Sequence, residues 1–91
     1  MTNKKQVWLV ERTYSDDEQN LIILTYATDD GYRDFRKERA LTSFTGSSRE
    51  TPVSLNVEET NLGVVEDPET RERYANEVAR MAEKHDPSDT L

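Results

Sequence analysis

The sequence has no cysteine, a single histidine and no long apolar segment. Without cysteine the chain forms no disulfide and no thiolate-based zinc or catalytic site. The longest aliphatic run, residues 21–24, is far shorter than the roughly 20 residues that cross a bilayer. The apolar residues 7–10, which follow two lysines, are likewise fewer than the roughly 7–15 of a signal peptide. We therefore expect a cytoplasmic protein that does not enter a membrane.

Hydrophobic residues are also scarce, at 33% against 34% charged residues. A chain of 91 residues is one small domain with a thin core. We interpret residues 1–91 as that domain, with loose termini at 1–5 and 86–91 and a flexible Ser/Thr/Gly-rich loop at 42–51.

The net charge of -7 arises entirely in the second half of the chain. Residues 1–49 hold eight acidic and eight basic residues, whereas residues 50–91 hold eleven acidic and four basic ones. Lysine is rare, with four copies against eight arginines, and the acidic residues are dispersed. This composition resembles that of proteins from salt-loving archaea, where concentrated salt screens charge repulsion. An ordinary acidic domain is the alternative.

The stretch 20–28 is apolar on both of its alternating faces. β-Branched and aromatic residues suit a pleated strand, and apolarity on both faces indicates cover above and below. We therefore place this strand at the centre of a sheet. Its two faces carry Leu21, Ile23 and Ala27 on one side, and Ile22, Leu24 and Tyr26 on the other.

Further strands are predicted on either side of this segment. Residues 6–14 alternate as a first strand, and Asp29-Asp30-Gly31 is a tight-turn sequence whose glycine tolerates positive φ. Residues 32–41 then form a charged return strand, which is suited to a sheet edge; a helix over 34–41 is the competing interpretation. Pro52 opens a half-buried strand over 53–57.

The last element is an amphipathic helix that begins at Asp67 and Pro68. Aspartate is a favourable N-cap, and proline suits the first helical position. At 100° per residue the apolar side chains fall within one arc. That arc contains Tyr74, Ala75, Val78, Met81, Ala82 and the sole histidine, His85.

The order β-β-β-β-α predicts an α+β fold, an antiparallel β-meander of three to four strands with the C-terminal helix packed on one sheet face. One helix covers one face, so either the sheet curls upon itself or a partner covers the second face. We therefore expect a non-enzymatic interaction module, a homodimer or a complex with another protein, that associates through the sheet. The candidate interface residues are Trp8, Val10, Ile22, Leu24 and Tyr26.

A nucleic-acid or anion site is the alternative function. Basic residues interleaved with aromatic rings on a strand can bind phosphates while the rings stack on bases. The residues with this pattern are Tyr32, Arg33, Phe35, Arg36, Lys37 and Arg39. A charged edge strand that makes cross-strand ion pairs explains the same pattern without any ligand.

No catalytic, cofactor or metal site can be assembled from the sequence. His85 has no sequence-local partner and suits a capping position at the negative end of the helix. The loop 45–49 has hydroxyls and an arginine but lacks the second glycine and the lysine of a phosphate-binding loop. We expect no enzymatic activity and no cofactor.

The dependence of the melting temperature on salt concentration tests whether this composition is an adaptation to high salt. If charge repulsion in the acidic half limits stability, Tm should rise by at least about 10 °C between about 0.1 M and about 2 M KCl, because the added salt screens that repulsion. The measurement is circular dichroism at the helix band. A Tm that is independent of KCl would identify an ordinary acidic domain.

Overall fold

The computed structural model describes residues 3–15, 21–40 and 51–90. These residues form five antiparallel strands, one 3₁₀ turn and one C-terminal α-helix, which confirms the predicted α+β class with a strand more than the three to four expected. The elements are β1 Lys4–Ser15, β2 Leu21–Ala27, β3 Arg33–Ala40, β4 Ser54–Glu58, the 3₁₀ turn Glu59–Asn61, β5 Gly63–Val64 and α1 Pro68–Lys84.

The strands lie in the order β4-β1-β2-β3-β5, with β2 in the middle as predicted. The first three form a meander, and β3 is a strand rather than the competing helix. The fourth strand departs from a simple meander because it pairs with β1 and not with β3. The predicted loop 42–51, which joins β3 to β4, lies outside the described residues apart from Thr51, which is buried.

A β-bulge at Val10 changes which residues of β1 share a face. Leu9 pairs with Tyr26, yet Glu11 pairs with the adjacent Thr25, so one extra residue stands between them. The uninterrupted alternation expected from the sequence placed Trp8 and Val10 with Arg12. The bulge corrects this expectation, since Arg12 follows the bulge and shares the face of Leu9 instead.

The register divides the core between two faces of the sheet. On one face Tyr26 and Leu24 are almost fully buried, at 0% and 1% exposure, and this face is called the inner face below. On the opposite face Trp8 lies beside Ala27, and α1 packs there. The inner face also contains the buried residues Val7, Leu9, Ile22 and Val57, with Phe35 and Leu55 half-buried.

The inner face is closed by curling of the sheet. β4 and β5 occupy opposite edges, yet only residues 59–62 join them, and three of these form the 3₁₀ turn. Such a link spans about 13 Å, whereas five flat strands are about 19 Å wide. Phe35 of β3 and Leu55 of β4 accordingly line one cavity of about 440 Å³, although two strands lie between them in the sheet. The chain itself therefore covers the second face.

Helix α1 begins and ends close to its predicted limits. Pro68 occupies the first turn, and Asp67 is the N-cap residue. The Asp67 carboxylate accepts a hydrogen bond from the Thr70 hydroxyl at 2.7 Å. The buried side chains are Tyr74, Val78 and Met81, all members of the predicted apolar arc. Burial, followed by the charges of Glu11 and Asp34, raises the pKa of Tyr74.

The described residues near both ends of the chain take part in backbone hydrogen bonding. Lys4 and Lys5 belong to β1 and pair with β4. At the other end the Asp89 carbonyl accepts a hydrogen bond from the Val53 N–H at 3.0 Å, and Thr90 bridges to Pro52. These backbone hydrogen bonds hold the segment after α1 against the beginning of β4.

The turn between β2 and β3 is fixed against the first part of α1. Gly31 has φ = +75°, as its predicted tight turn requires. A Cβ built on Gly31 would lie 2.1 Å from the carbonyl oxygen of Arg71 in α1. The absence of a side chain here therefore allows both the turn conformation and the close approach of the helix.

Replacement of this glycine is expected to destabilise the protein. Gly31→Ala should lower the free energy of unfolding by at least about 2 kcal/mol, because positive φ costs an L-residue roughly 1–2 kcal/mol and the helix backbone must also move. Urea denaturation monitored by circular dichroism measures the loss.

Gly63→Ala is the matched control for this substitution. The nearest atom to its Cβ is the Asp34 carboxylate oxygen at 2.9 Å, which can rotate away. We expect a loss below about 1 kcal/mol. Equal losses in the two variants would contradict the close approach of the turn to α1.

Candidate interaction surface

The five residues predicted to form a sheet interface are largely enclosed within the chain. Ile22, Leu24 and Tyr26 are buried on the inner face, whereas Trp8 is buried on the opposite face. Val10 is half-buried at the bulge. These residues stabilise the core, and they do not present a continuous surface that a partner can reach.

The basic and aromatic residues of the second predicted site lie on β3 and the turn before it. Alternation places Phe35 and Lys37 on the inner face, while Arg36 points to the helix side together with Asp34 and Glu38. Arg39 belongs to the inner-face register opposite Ile22, and its side chain is outside the described part. The cations of this strand are thus divided between two faces.

The two aromatic residues of this group already have protein neighbours. The guanidinium of Arg71 lies over the Tyr32 ring, 4.3 Å from its centroid, which is cation–π geometry. Phe35 packs against the core from the inner face. Neither ring stands free beside the basic side chains as a pair of stacking platforms.

The outer edge of β3 is open along most of its length in the described sheet. β5 pairs only with Arg33 and Asp34, so residues 35–40 have no strand beyond them among the described residues. The Arg33 carbonyl points toward β2 and accepts from Thr28, whereas the Tyr32 carbonyl points outward and accepts from Val65. Since backbone groups alternate along a strand, those of Arg36 and Glu38 point outward.

The side chains along this edge are charged and exposed. Arg36, Lys37 and Glu38 are all solvent-accessible, and none of them takes part in an ion pair within the described part of the chain. Opposite charges two positions apart, at Arg36 and Glu38, share the helix-side face. This edge therefore has backbone groups without a partner strand among the described residues. In an antiparallel pair of two such edges, Arg36 of one copy can stand opposite Glu38 of the other.

Other kinds of site are less well supported by the geometry. Among the described residues no three His, Asp or Glu side chains come together as a possible metal site. His85 is the C-cap residue of α1, and its backbone N–H donates to the Met81 carbonyl. Its imidazole Nδ1 lies 3.6 Å from the Asp89 carboxylate oxygen. The loop 45–49, which the sequence did not support as an anion site, lies outside the described residues. Within the described ranges no helix is long and apolar enough to cross a membrane.

Comparison with known proteins places the chain in a family but not near a characterised protein. A family model matches residues 1–91 of the chain. The chain belongs to DUF7967, a family of unknown function. No curated protein and no solved structure matches the sequence. For this DUF7967 protein the geometry of the described residues is therefore the basis for a functional proposal.

The open edge was only partly visible in the sequence. The alternation of charges in residues 33–39 did indicate an edge strand, and β3 has that position beyond Asp34. Whether the backbone N–H and C=O groups of a β3 residue point outward depends on its pairing with β2. The composition of the strand does not determine this register. The signal that locates it is the turn at Asp29-Asp30-Gly31, because the turn length sets the pairing that follows.

Asp30 fixes the turn that begins this register. Its Oδ1 accepts the Thr28 hydroxyl at 2.6 Å and the Tyr32 N–H at 3.0 Å. The hydrogen bond from Thr28, followed by that from Tyr32, lowers the pKa of Asp30 below its usual 3.8. A carboxyl whose pKa is lowered by folding stabilises the protein above its unfolded pKa, and this contribution is lost as the pH falls through the folded value.

We expect Asp30→Asn to cost on the order of 1 kcal/mol of unfolding free energy at pH 7, since a charged acceptor is replaced by a neutral one. The difference from the wild type should shrink as the pH falls through the lowered pKa of Asp30, because the wild-type carboxyl is then protonated as well. Urea denaturation at several pH values measures it. Asp29→Asn, at the neighbouring exposed position, is the matched control and should cost less at pH 7, because the hydrogen bonds from Thr28 and Tyr32 run to Asp30. A cost of Asp30→Asn that is constant from pH 7 to pH 2 would contradict the role of the Asp30 charge.

Proposed function

We propose that this protein is a non-enzymatic interaction module of the cytoplasm that self-associates through the sheet, with the β3 edge as its contact. The observation that carries the proposal is the outward-facing backbone of Arg36 and Glu38, which has no partner strand among the described residues. Addition of a strand to such an edge is a common mode of protein recognition. The apolar residues at the centre of both sheet faces are buried within the chain, whereas the β3 edge beyond Asp34 remains available among the described residues.

A second copy of the chain is the occupant that the charges favour. In an antiparallel pair related by a two-fold axis normal to the sheet, residues on the same face stand opposite each other. An axis at Lys37 places Arg36 of each copy opposite Glu38 of the other. Each such pair exchanges backbone hydrogen bonds and also brings opposite charges together, which stabilises a cross-strand pair.

The same register includes a destabilising contact. The two Lys37 side chains come face to face on the inner-face side, and like charges directly opposite each other weaken a strand pair. β5 stops the ladder at Asp34, so the pairing is short. A short ladder with one repulsive contact predicts a weak, reversible dimer with Kd on the order of 10–100 µM.

Nucleic-acid binding through residues 32–39 has less support. Arg36 and Lys37 lie on opposite faces, and Tyr32 is engaged by Arg71. The acidic charge of the whole chain, -7, also opposes a polyanion. Titration with fluorescent single-stranded DNA and RNA in low salt provides the discriminating measurement, because salt-sensitive binding that Arg36→Ala weakens would favour this alternative.

Charge reversal tests the dimer register. Arg36→Glu and Glu38→Arg should each raise the dissociation constant at least about tenfold, because each places like charges opposite one another. The dissociation constant of the double variant should lie within about threefold of the wild-type value, since opposite charges again face each other in reversed order. Sedimentation equilibrium between about 5 and 500 µM measures the dimer of about 21 kDa, twice the 10.5 kDa of the chain.

Matched controls lie on the exposed end of α1. Lys84→Glu and Glu83→Arg change the net charge by the same amounts at positions far along the chain from β3. They should leave the dissociation constant within about twofold of the wild type. A monomer at every concentration would overturn self-association, whereas a dimer that is insensitive to Arg36→Glu would place the contact elsewhere.

A further inference from the structure

A cleft of about 370 Å³ lies at the end of the sheet where β1 begins, β2 ends and β3 begins. Its volume is in the range of small-molecule sites, and the mouths of curled sheets are common places for them. The 3₁₀ turn closes one side of the cleft through Glu59, and the β2–β3 turn closes another. The cleft is separate from the β3 edge at residues 35–40.

The lining residues of the cleft are held in place by their own contacts. The β2–β3 turn is fixed by the two hydrogen bonds to Asp30 and by the Tyr32 carbonyl, which accepts from Val65 at 2.8 Å. On the opposite side the Glu59 N–H donates to the Asn3 carbonyl at 2.8 Å. A cavity with fixed walls binds a ligand without a large ordering cost.

Trp8 contributes a free hydrogen-bond donor to this cleft. Its side chain is 92% buried, with 8% exposed, and no hydrogen bond from its indole N–H is found within the described residues. In those residues no fully enclosed side-chain nitrogen or oxygen lacks a partner. The indole N–H therefore reaches solvent, and since Trp8 lines the cleft, we infer that a ligand in the cleft can accept a hydrogen bond from it. An indole N–H that water can reach is also available to donate a hydrogen bond to a ligand.

The charges around the cleft are of both signs and largely unpaired. Arg33 and Glu59 stand 4.0 Å apart, which is too long for a hydrogen bond and leaves both able to bind a ligand. Lys5 and Asp29 also line the cleft, and neither forms an ion pair within the described part of the chain. A purely anionic or purely cationic ligand would meet repulsion from one set of these groups.

We propose that this cleft binds a small zwitterion that carries a carboxylate and an ammonium group. The carboxylate accepts from the Trp8 indole N–H and from Arg33 or Lys5, and the ammonium donates to Glu59 or Asp29. The ligand thereby completes the loose Arg33–Glu59 pair from both sides. Charge-assisted hydrogen bonds of this kind are the strong ones.

The experiment uses the fluorescence of Trp8, which is the only tryptophan of the chain. The full-length protein is titrated with a series of ω-amino carboxylates, namely glycine, 4-aminobutyrate and 6-aminohexanoate, in which the separation of the two charges increases. Butyrate and butylammonium serve as single-charge controls. We expect one member of the series to give a saturable shift in emission at millimolar concentration. The concentration for half-saturation should be at least about tenfold lower than that of any response to the controls.

Variants separate binding in the cleft from a general solvent effect. Arg33→Gln and Glu59→Gln should each weaken the response at least about tenfold, because each removes one of the two charged partners. Arg80→Gln, on the helix and paired with Glu77, is the control and should leave it unchanged. Trp8→Phe, followed by calorimetry with the best probe, should reduce the affinity while circular dichroism shows a folded protein.

The proposal is overturned by any of three results. These are the absence of a saturable response to every zwitterion up to about 50 mM, equal responses to the single-charge controls, or a response unaffected by Arg33→Gln and Glu59→Gln. None of these results bears on the β3 edge, so the dimer proposal is decided separately by sedimentation.

Discussion

The length of one short link constrains the whole sheet. Residues 59–62 join strands that lie on opposite edges, so the sheet has to curl until its edges approach each other. This constraint encloses the inner-face side chains of β1 and β2, leaving Tyr26 with no exposed surface. The Tyr26 hydroxyl then donates to the Pro52 carbonyl at 2.7 Å, which ties the middle of the sheet to the start of β4. A small chain with few apolar residues thus obtains two filled faces from one sheet.

The sequence predicted the elements whose signals are local. The two-faced apolarity of residues 21–27 identified the central strand, Asp29-Asp30-Gly31 identified the turn with positive φ, and Asp67 with Pro68 marked the start of the helix. Each of these signals depends on neighbouring residues, and therefore on propensities that act without tertiary contacts. Even the ambiguous segment 34–41 was interpreted correctly as a strand because the preceding turn required a partner for β2.

The features that escaped prediction depend on contacts between distant segments. The pairing of β4 with β1 joins residues about fifty positions apart, and no local pattern records it. The bulge at Val10 changed which residues of β1 share a face, and the register places Trp8 on the face opposite Ile22, Leu24 and Tyr26. The cleft likewise unites Lys5, Asp29 and Glu59 from three separate parts of the chain. A single sequence identifies such residues as charged but does not bring them together.

The late position of β4 in the chain has a consequence for synthesis. Residues 4–40 contain the three strands of the meander, which form from neighbouring segments as soon as they are available. Their inner face stays open to water until β4 is made, and α1 follows later still. A nascent chain that has reached Ala40 therefore carries an exposed apolar sheet face with Val7 and Leu24 on it, the kind of surface that aggregates or recruits chaperones. The part of the chain from β4 onward converts this exposed face into the enclosed core.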